Sequence, residues 1–231
     1  MTTAYRNHTA ISQSDLLIAK CLLTGTEKNI PVKAAMIGKA IHERVLEPEL
    51  FDLGNYPVLA CDKQLYATFE KCTNSLLSDE RFQNLLSTGQ KEETKFWQEP
   101  TTGTECKARI DILTPDLVSD LKTTSEYKQE TFEASLSSYD YDLQLAFYMD
   151  SVALQNALIV GISKRNGKIF YVQIDGNSAF IKEGRRKYLF LLNKIVKSNL
   201  FERIYQEREK AREKEQHELQ LLLEKVSATQ A

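Results

Sequence analysis

Apolar residues in this chain recur with two different periods, and the change from one to the other predicts its organisation. Ser12 or Ser14 is placed to cap a helix running through Leu22 and ending near Gly25. The stretch KAAMIGKAIHERVLEP predicts a second helix, stopped by Pro48. From Asp62 to Leu86 the positions Leu65, Phe69, Cys72 and Leu76 follow the 3.6-residue period, and Gly89 ends a further short helix. The pattern then becomes extended: ETKFWQE, a PTTG turn, TECKARIDIL, a TPD turn and LVSDLKTT predict three consecutive antiparallel strands. Helix returns across YDYDLQLAFYMDSVALQ. Two more strands, ALIVGIS and KIFYVQID, flank Asn166-Gly167, a pair suited to a tight hairpin turn. A last long helical segment starts near Ser178 and becomes densely charged beyond Phe201.

Composition narrows the possible classes. With 231 residues, 42% of them hydrophobic, the chain buries a sizeable core, and one domain over 1–200 with a charged helical tail over 201–231 is expected. Apolar runs stay well short of the roughly 20 residues that span a bilayer, and MTTAYRNHTAISQSD lacks a signal-peptide pattern, so a cytoplasmic protein is expected. Cys21, Cys61, Cys72 and Cys106 are scattered without zinc-ligand spacing. A formal charge of −2 gives no global basic field, so contact with nucleic acid must come from local clusters.

The charge that stands out lies in ARIDILTPDLVSDLKTT, residues 108–124, where aspartates interrupt apolar strands. If residues 114–117 form the loop, Leu113 faces Val118, Asp111 faces Asp120 and Ile110 faces Leu121. One face is then acidic, while Ile110, Ile112 and Leu121 form an apolar face, and Lys122 joins Asp120 on the polar side. Opposed residues have Cβ atoms about 5 Å apart, and like charges there repel. A solvated surface hairpin is one outcome. The other is a divalent cation: Mg²⁺, with Mn²⁺ as a substitute, takes carboxylate and phosphate oxygens. Lys122 beside it could orient or deprotonate a water and stabilise charge on a phosphate.

Three other features belong to the same reading. His42 lies in GKAIHERVLEP with Gly38 one turn earlier, a small residue that permits another element to approach; a lone helical histidine is otherwise a core or surface residue. Gln144 and Tyr148 are spaced i, i+4 and present an amide and a phenol on one helix face. Glu92 and Glu93 open a strand, where either could reach the site or simply be solvated.

In this order, His42, Asp111, Asp120-x-Lys122 and Gln144-x-x-x-Tyr148 resemble the PD-(D/E)xK nuclease superfamily, in the branch where a histidine precedes the acidic motifs. IGKAIHERVLEPELF, FWQEPTTGTECKARIDIL, SDLKTT and YDYDLQLAFY resemble the exonuclease VIII type of phage recombination exonuclease, over roughly residues 10 to 195. The resemblance implies an α/β fold with a central mixed sheet flanked by helices, a restriction-endonuclease-like core. It also implies a Mg²⁺-dependent 5′ to 3′ exonuclease on linear double-stranded DNA ends, phage or prophage encoded. Such an enzyme acts beside a single-strand annealing protein in recombination and assembles as a homo-oligomeric ring, a tetramer. Carried over, His42, Asp111 and Asp120 are metal ligands, Lys122 is the catalytic lysine, and Gln144 and Tyr148 support the site and the DNA strand.

The literal Pro115-Asp116 is set aside, because it falls in the turn. An iron–sulfur branch needs clustered cysteines near the C-terminus, and none follows Cys106. Arg109, Lys164, Arg165, Lys168 and the Arg185, Arg186, Lys187 run are candidates for tracking a phosphate backbone, against a solvated surface. A non-catalytic DNA-end-binding scaffold and an endonuclease of restriction or junction-resolving type are the competing functions. In the tail, His217 lies among charges. Leu219, Leu222, Leu223 and Val226 form an apolar stripe that should dock on a neighbouring subunit, an annealing partner or the chain's own domain.

Overall fold

The 3.6-residue spacing of Leu65, Phe69, Cys72 and Leu76 becomes one inward face of a helix, with Phe69, Cys72 and Leu76 buried. The structure is a computed structural model that describes residues 8–26 and 31–230, the side chains of residues 223 and 225–230 excepted. A two-residue strand, β1 (Ile11–Ser12), leads into α1 (Gln13–Thr24). The Ser12 N–H donates to the Asp15 carboxylate at 2.7 Å at the start of α1, and Gly25, at φ 67, ends it. Four helices follow: α2 (Val32–Leu46), α3 (Pro57–Cys61), α4 (Lys63–Ser78) and α5 (Glu80–Thr88). Then come β2 (Gln90–Gln98), β3 (Glu105–Leu113), β4 (Val118–Thr124), α6 (Gln129–Ser135), α7 (Tyr141–Val152), β5 (Asn156–Ser163) and β6 (Ile169–Asp175). The chain closes with α8 (Ala179–Lys197) and α9 (Phe201–Gln230).

Among the described residues six strands form one mixed sheet. β2, β3 and β4 are antiparallel neighbours, β4 runs parallel to β5, β6 returns antiparallel, and β1 adds a short parallel pairing to β3. The parallel β4–β5 step requires a crossover, which α6 and α7 supply. One side of the sheet is covered by α1, α7 and α8, whose Leu16, Phe147 and Leu192 pack with Ala108, Val118 and Ile159. The other is covered by α2, α4 and α5, whose Ile41, Phe69 and Phe82 pack with Leu121, Leu158 and Val160. This is the mixed sheet flanked by helices that the resemblance implies. No described helix is long and apolar enough to cross a membrane.

Three details depart from the sequence expectation. Ile110 packs on the α7 side while Ile112 and Leu121 pack on the α2–α5 side, so the three do not share one apolar face. The reason is local: β3 and β4 pair at Leu113–Val118 and Ile112–Ser119, and then Asp111 breaks the ladder. Its carboxylate, rather than a backbone carbonyl, accepts the Leu121 N–H at 2.7 Å. Second, the segment from Ser178 is two helices. Asn199 takes φ 47 between them, a left-handed conformation that asparagine tolerates better than most residues. Third, β1, α3 and α6 are too short to leave a periodic signature.

Helix α9 lies on its own domain, against α1 and further along against α2 and α3. Ile204 joins the core, and Arg208 pairs with the fully buried Asp15. Leu219 and Leu222 are half-buried; Leu223 and Val226 fall among the undescribed side chains.

Helix α8 crosses α7 at close range at Gly184. A Cβ there would lie 2.0 Å from the backbone oxygen of Asp142 in α7. Backbone cannot swing aside as a side chain can, so Gly184→Ala should cost about 2–3 kcal/mol and lower the melting temperature by roughly 5–10 °C. Calorimetric melting of the purified variant checks this.

Candidate active site

Where β3 and β4 part, side chains from four elements meet. Asp111 turns into the gap on β3, and Asp120 and Lys122 project together from β4, two residues apart on a strand. His42 comes from α2, which approaches β4 closely because of Gly38: a Cβ there would stand 3.3 Å from the Thr123 hydroxyl. The His42 Nδ1 is 3.6 Å from Asp111 Oδ2. From the opposite side of the sheet α7 delivers Gln144, whose amide donates to Asp120 Oδ1 at 2.8 Å and lies 3.1 Å from the Tyr148 hydroxyl.

Sequence reasoning gave Glu92 little weight, yet it belongs here. Potential ligand atoms of His42, Glu92 and Asp111 lie within 4.8 Å of one another. Glu92 interrupts the β2–β3 ladder opposite Asp111, between the pairs Lys91–Ile112 and Glu93–Ile110, and its φ is 55. A non-glycine residue held left-handed in a strand costs of order 1 kcal/mol or more and is concentrated at functional sites. The signal available in the sequence was only a glutamate pair at a strand start. Its neighbour Glu93 turns away and pairs with Lys95 at 2.8 Å.

Asp120 stands apart from that ligand group. It is 2% exposed, with one oxygen on Gln144 and the other 2.5 Å from the Lys122 ammonium. Gln144 and Tyr148 are buried behind it, so they act on the site through Asp120. Arg109, a candidate for DNA contact, is engaged within the fold: its guanidinium pairs with Glu47 at 2.8 Å and with Glu92. It thereby orients Glu92.

The other basic candidates divide. Arg185 is committed to Asp150 and to the Gly176 carbonyl at 3.0 Å, and Lys187 to Asp142 at 2.8 Å, so both tie α8 to its surroundings. Arg186 is exposed and pairs with Glu183 one turn away. Beyond the end of β5, Lys164 donates its N–H to Thr124 of β4, and Arg165 lies 5.7 Å from the Tyr127 ring. Lys168 is exposed beside them. Asp116 is exposed in the β3–β4 turn, away from these groups.

Electrostatics at the site are those of a carboxylate surplus. Burial pushes the Asp120 carboxyl up to about 6 against the pull of Lys122. Burial likewise raises Asp111, and burial together with the Asp111 charge raises Glu92. Burial opposes the charge on Lys122, but Asp120 and Asp111 together outweigh it and move the ammonium up to about 12. His42 falls to about 4, first from burial and then from the Lys122 charge, so its imidazole is neutral at neutral pH. Hard oxygens and a neutral imidazole around crowded negative charge are a donor set suited to a divalent cation. His42, Glu92 and Asp111 would hold it.

The chain belongs to the family described as a PDDEXK-like domain of unknown function (DUF3799), whose model matches residues 17–168. Its fold is that of a candidate exonuclease from Eubacterium rectale, with a TM-score of 0.61 at 16% identity over 84% of this chain and 86% of that one. Weaker likenesses are to a phage-related exonuclease from Haemophilus somnus, with 14% identity, 80% and 82% coverage and a TM-score of 0.43. An alkaline exonuclease from Laribacter hongkongensis gives 15% identity, 88% and 94% coverage and a TM-score of 0.43. No curated protein matches the sequence.

Two outcomes follow from this charge arrangement. Asp120, raised from its ordinary range to about 6, contributes stability below about pH 4 that is lost as pH rises through about 6. Asp111 and Glu92 shift in the same direction, and His42, being lowered, acts oppositely, losing its contribution as pH falls through about 4. Protons and a cation therefore compete for the carboxylates. Mn²⁺ at about a hundredfold excess over its Kd should raise the melting temperature by roughly 5–10 °C near about pH 8, and by much less near about pH 5. Glu92→Gln should weaken Mn²⁺ binding at least about tenfold by titration calorimetry, with the fold retained.

Proposed function

We propose that the protein is a Mg²⁺-dependent exodeoxyribonuclease that degrades linear double-stranded DNA 5′ to 3′ and leaves single-stranded 3′ overhangs. The observation that carries this reading is the Lys122–Asp120 pair at 2.5 Å, set beside the His42, Glu92 and Asp111 ligand group. Membership of a PDDEXK-like family supports phosphodiester hydrolysis, and the fold shared with a candidate exonuclease supports attack from ends.

When bound, a divalent cation supplies Lewis-acid stabilisation of charge at the phosphate. The chain's own residues do the rest. Lys122, moved up to about 12, stays an ammonium at neutral pH, so it orients the attacking water and stabilises phosphate charge rather than removing a proton. Asp120 aims that ammonium, and Gln144 holds Asp120. The neutral imidazole of His42 adds no negative charge to repel the phosphate. Lys164, Arg165 and Lys168, grouped beyond β5 with Tyr127, are suited to contacting the strand backbone.

The exonuclease VIII resemblance supports a homo-oligomeric ring, a tetramer, and cooperation with a single-strand annealing protein in recombination. Light scattering should report an assembly larger than the monomer at micromolar concentration; a monomer with DNA present would count against the ring.

Digestion of matched linear and closed circular duplexes with and without Mg²⁺ tests the activity. Linear DNA should be consumed only with Mg²⁺, and closed circles spared; cleavage of circles would make the protein an endonuclease instead. Lys122→Ala and Asp120→Asn should each lower the rate about a hundredfold to a thousandfold while DNA affinity stays within a few-fold. Undiminished hydrolysis in both folded variants would remove the assignment.

A further inference from the structure

Next to Lys122, at the start of α7 and just before it, stand two aromatic rings that hydrolysis does not use. Tyr141 opens α7, and the Lys122 ammonium stands 5.1 Å from its ring centroid. Tyr139 stacks on Tyr141, with centroids 5.6 Å apart and planes 26° from parallel. The inner ring is partly buried; the outer one is 56% exposed. Ammonium, inner ring and outer ring thus form a row leading from the reactive site toward solvent.

Asp140, between the two tyrosines, holds φ 57, a left-handed conformation. Its carboxylate is clamped by Lys20 at 2.6 and 2.9 Å and approached by Lys187 at 3.5 Å. These ion pairs fix the corner that presents Tyr139 outward. They also neutralise the acidic charge that would otherwise face an approaching phosphate backbone. A large ring held outward by a clamped corner is placed for contact with something outside the fold.

We infer that Tyr139 and Tyr141 form a stacking platform for a nucleobase of the strand being cut, an inference that rests on the nuclease reading above. A nucleotide joins a phosphate to a flat base, and this row offers a cation for the first and an aromatic face for the second. Within a duplex both faces of a base are covered by its neighbours. The platform therefore takes a base at a strand end or one that has left its pair, beside the phosphate that Lys122 holds. Tyr139 is a positioning residue here, because it orients the nucleotide and does not touch the reacting atoms.

The test uses the full-length protein and a short duplex with the fluorescent base aminopurine at its 5′ end, in Ca²⁺ so that the DNA is not consumed. Wild type should quench the fluorescence on binding. Tyr139→Ala should lose the quench and raise Kd about tenfold. Tyr139→Leu, which keeps apolar bulk but cannot stack, should behave like the alanine variant, and Tyr139→Trp should restore the quench. An unchanged quench and Kd in Tyr139→Ala would overturn the platform, as would restoration by leucine. Wild-type hydrolysis in Mg²⁺, run in parallel, separates the two ideas. Hydrolysis without a Tyr139-dependent quench overturns only the platform, while neither DNA binding nor hydrolysis overturns the nuclease reading and the platform with it.

Discussion

The site depends on one constraint: three carboxylates, Glu92, Asp111 and Asp120, share a largely desolvated space with too little positive charge. Burying a carboxylate is costly unless it is paired and hydrogen-bonded, and each of the three has a different remedy. Asp120 is satisfied by Lys122 and Gln144, Asp111 by the Leu121 N–H, and Glu92 by Arg109. Burial pushes all three carboxyls up, and for Glu92 and Asp120 the charge of Asp111 adds to it. A divalent cation would offset that cost, so the arrangement is one that such an ion would stabilise.

That constraint also explains local irregularities of the sheet. A regular β3–β4 ladder would bring Asp111 and Asp120 into direct opposition. By turning its carboxylate into the gap, Asp111 replaces a ladder hydrogen bond with its own and moves out of line with Asp120. On the other flank the left-handed Glu92 breaks the β2–β3 ladder at the same level. Both irregularities converge on one point of β3. The surrounding ladders, including the seven-pair parallel register from Val118–Ala157 to Thr124–Ser163, stay regular and hold the strands rigid around it.

Helices complete the site because the sheet is sandwiched. His42 arrives from one face on α2, which Gly38 lets close against Thr123. Gln144 and Tyr141 arrive from the other face on α7, which crosses α8 at Gly184. Gly38 therefore sets how closely α2 approaches β4, and Gly184 how closely α8 approaches α7. Helix α9 is held to α1 by a buried pairing of Arg208 with Asp15 and also packs against α2 and α3.

The sequence alone determined most elements and the order of the motifs. Periodicity is a local property, so the helices around Phe69 and Leu145, the antiparallel strands and the Asn166-Gly167 turn were legible, as was the placing of Asp120 and Lys122 on one side of a strand. Elements without a period, such as β1 and α6, were not. Tertiary structure decided which charged groups face one another. Glu92 joins His42 and Asp111 through an irregular backbone that no pattern of residues announces, whereas Arg109 and Arg185 look equally free in sequence until carboxylates from distant segments engage them. The docking of α9 on its own domain was likewise open, because an amphipathic stripe specifies an apolar partner without saying which one. Spacing along the chain fixes the direction of a side chain, but its partners are chosen by packing between segments far apart in sequence.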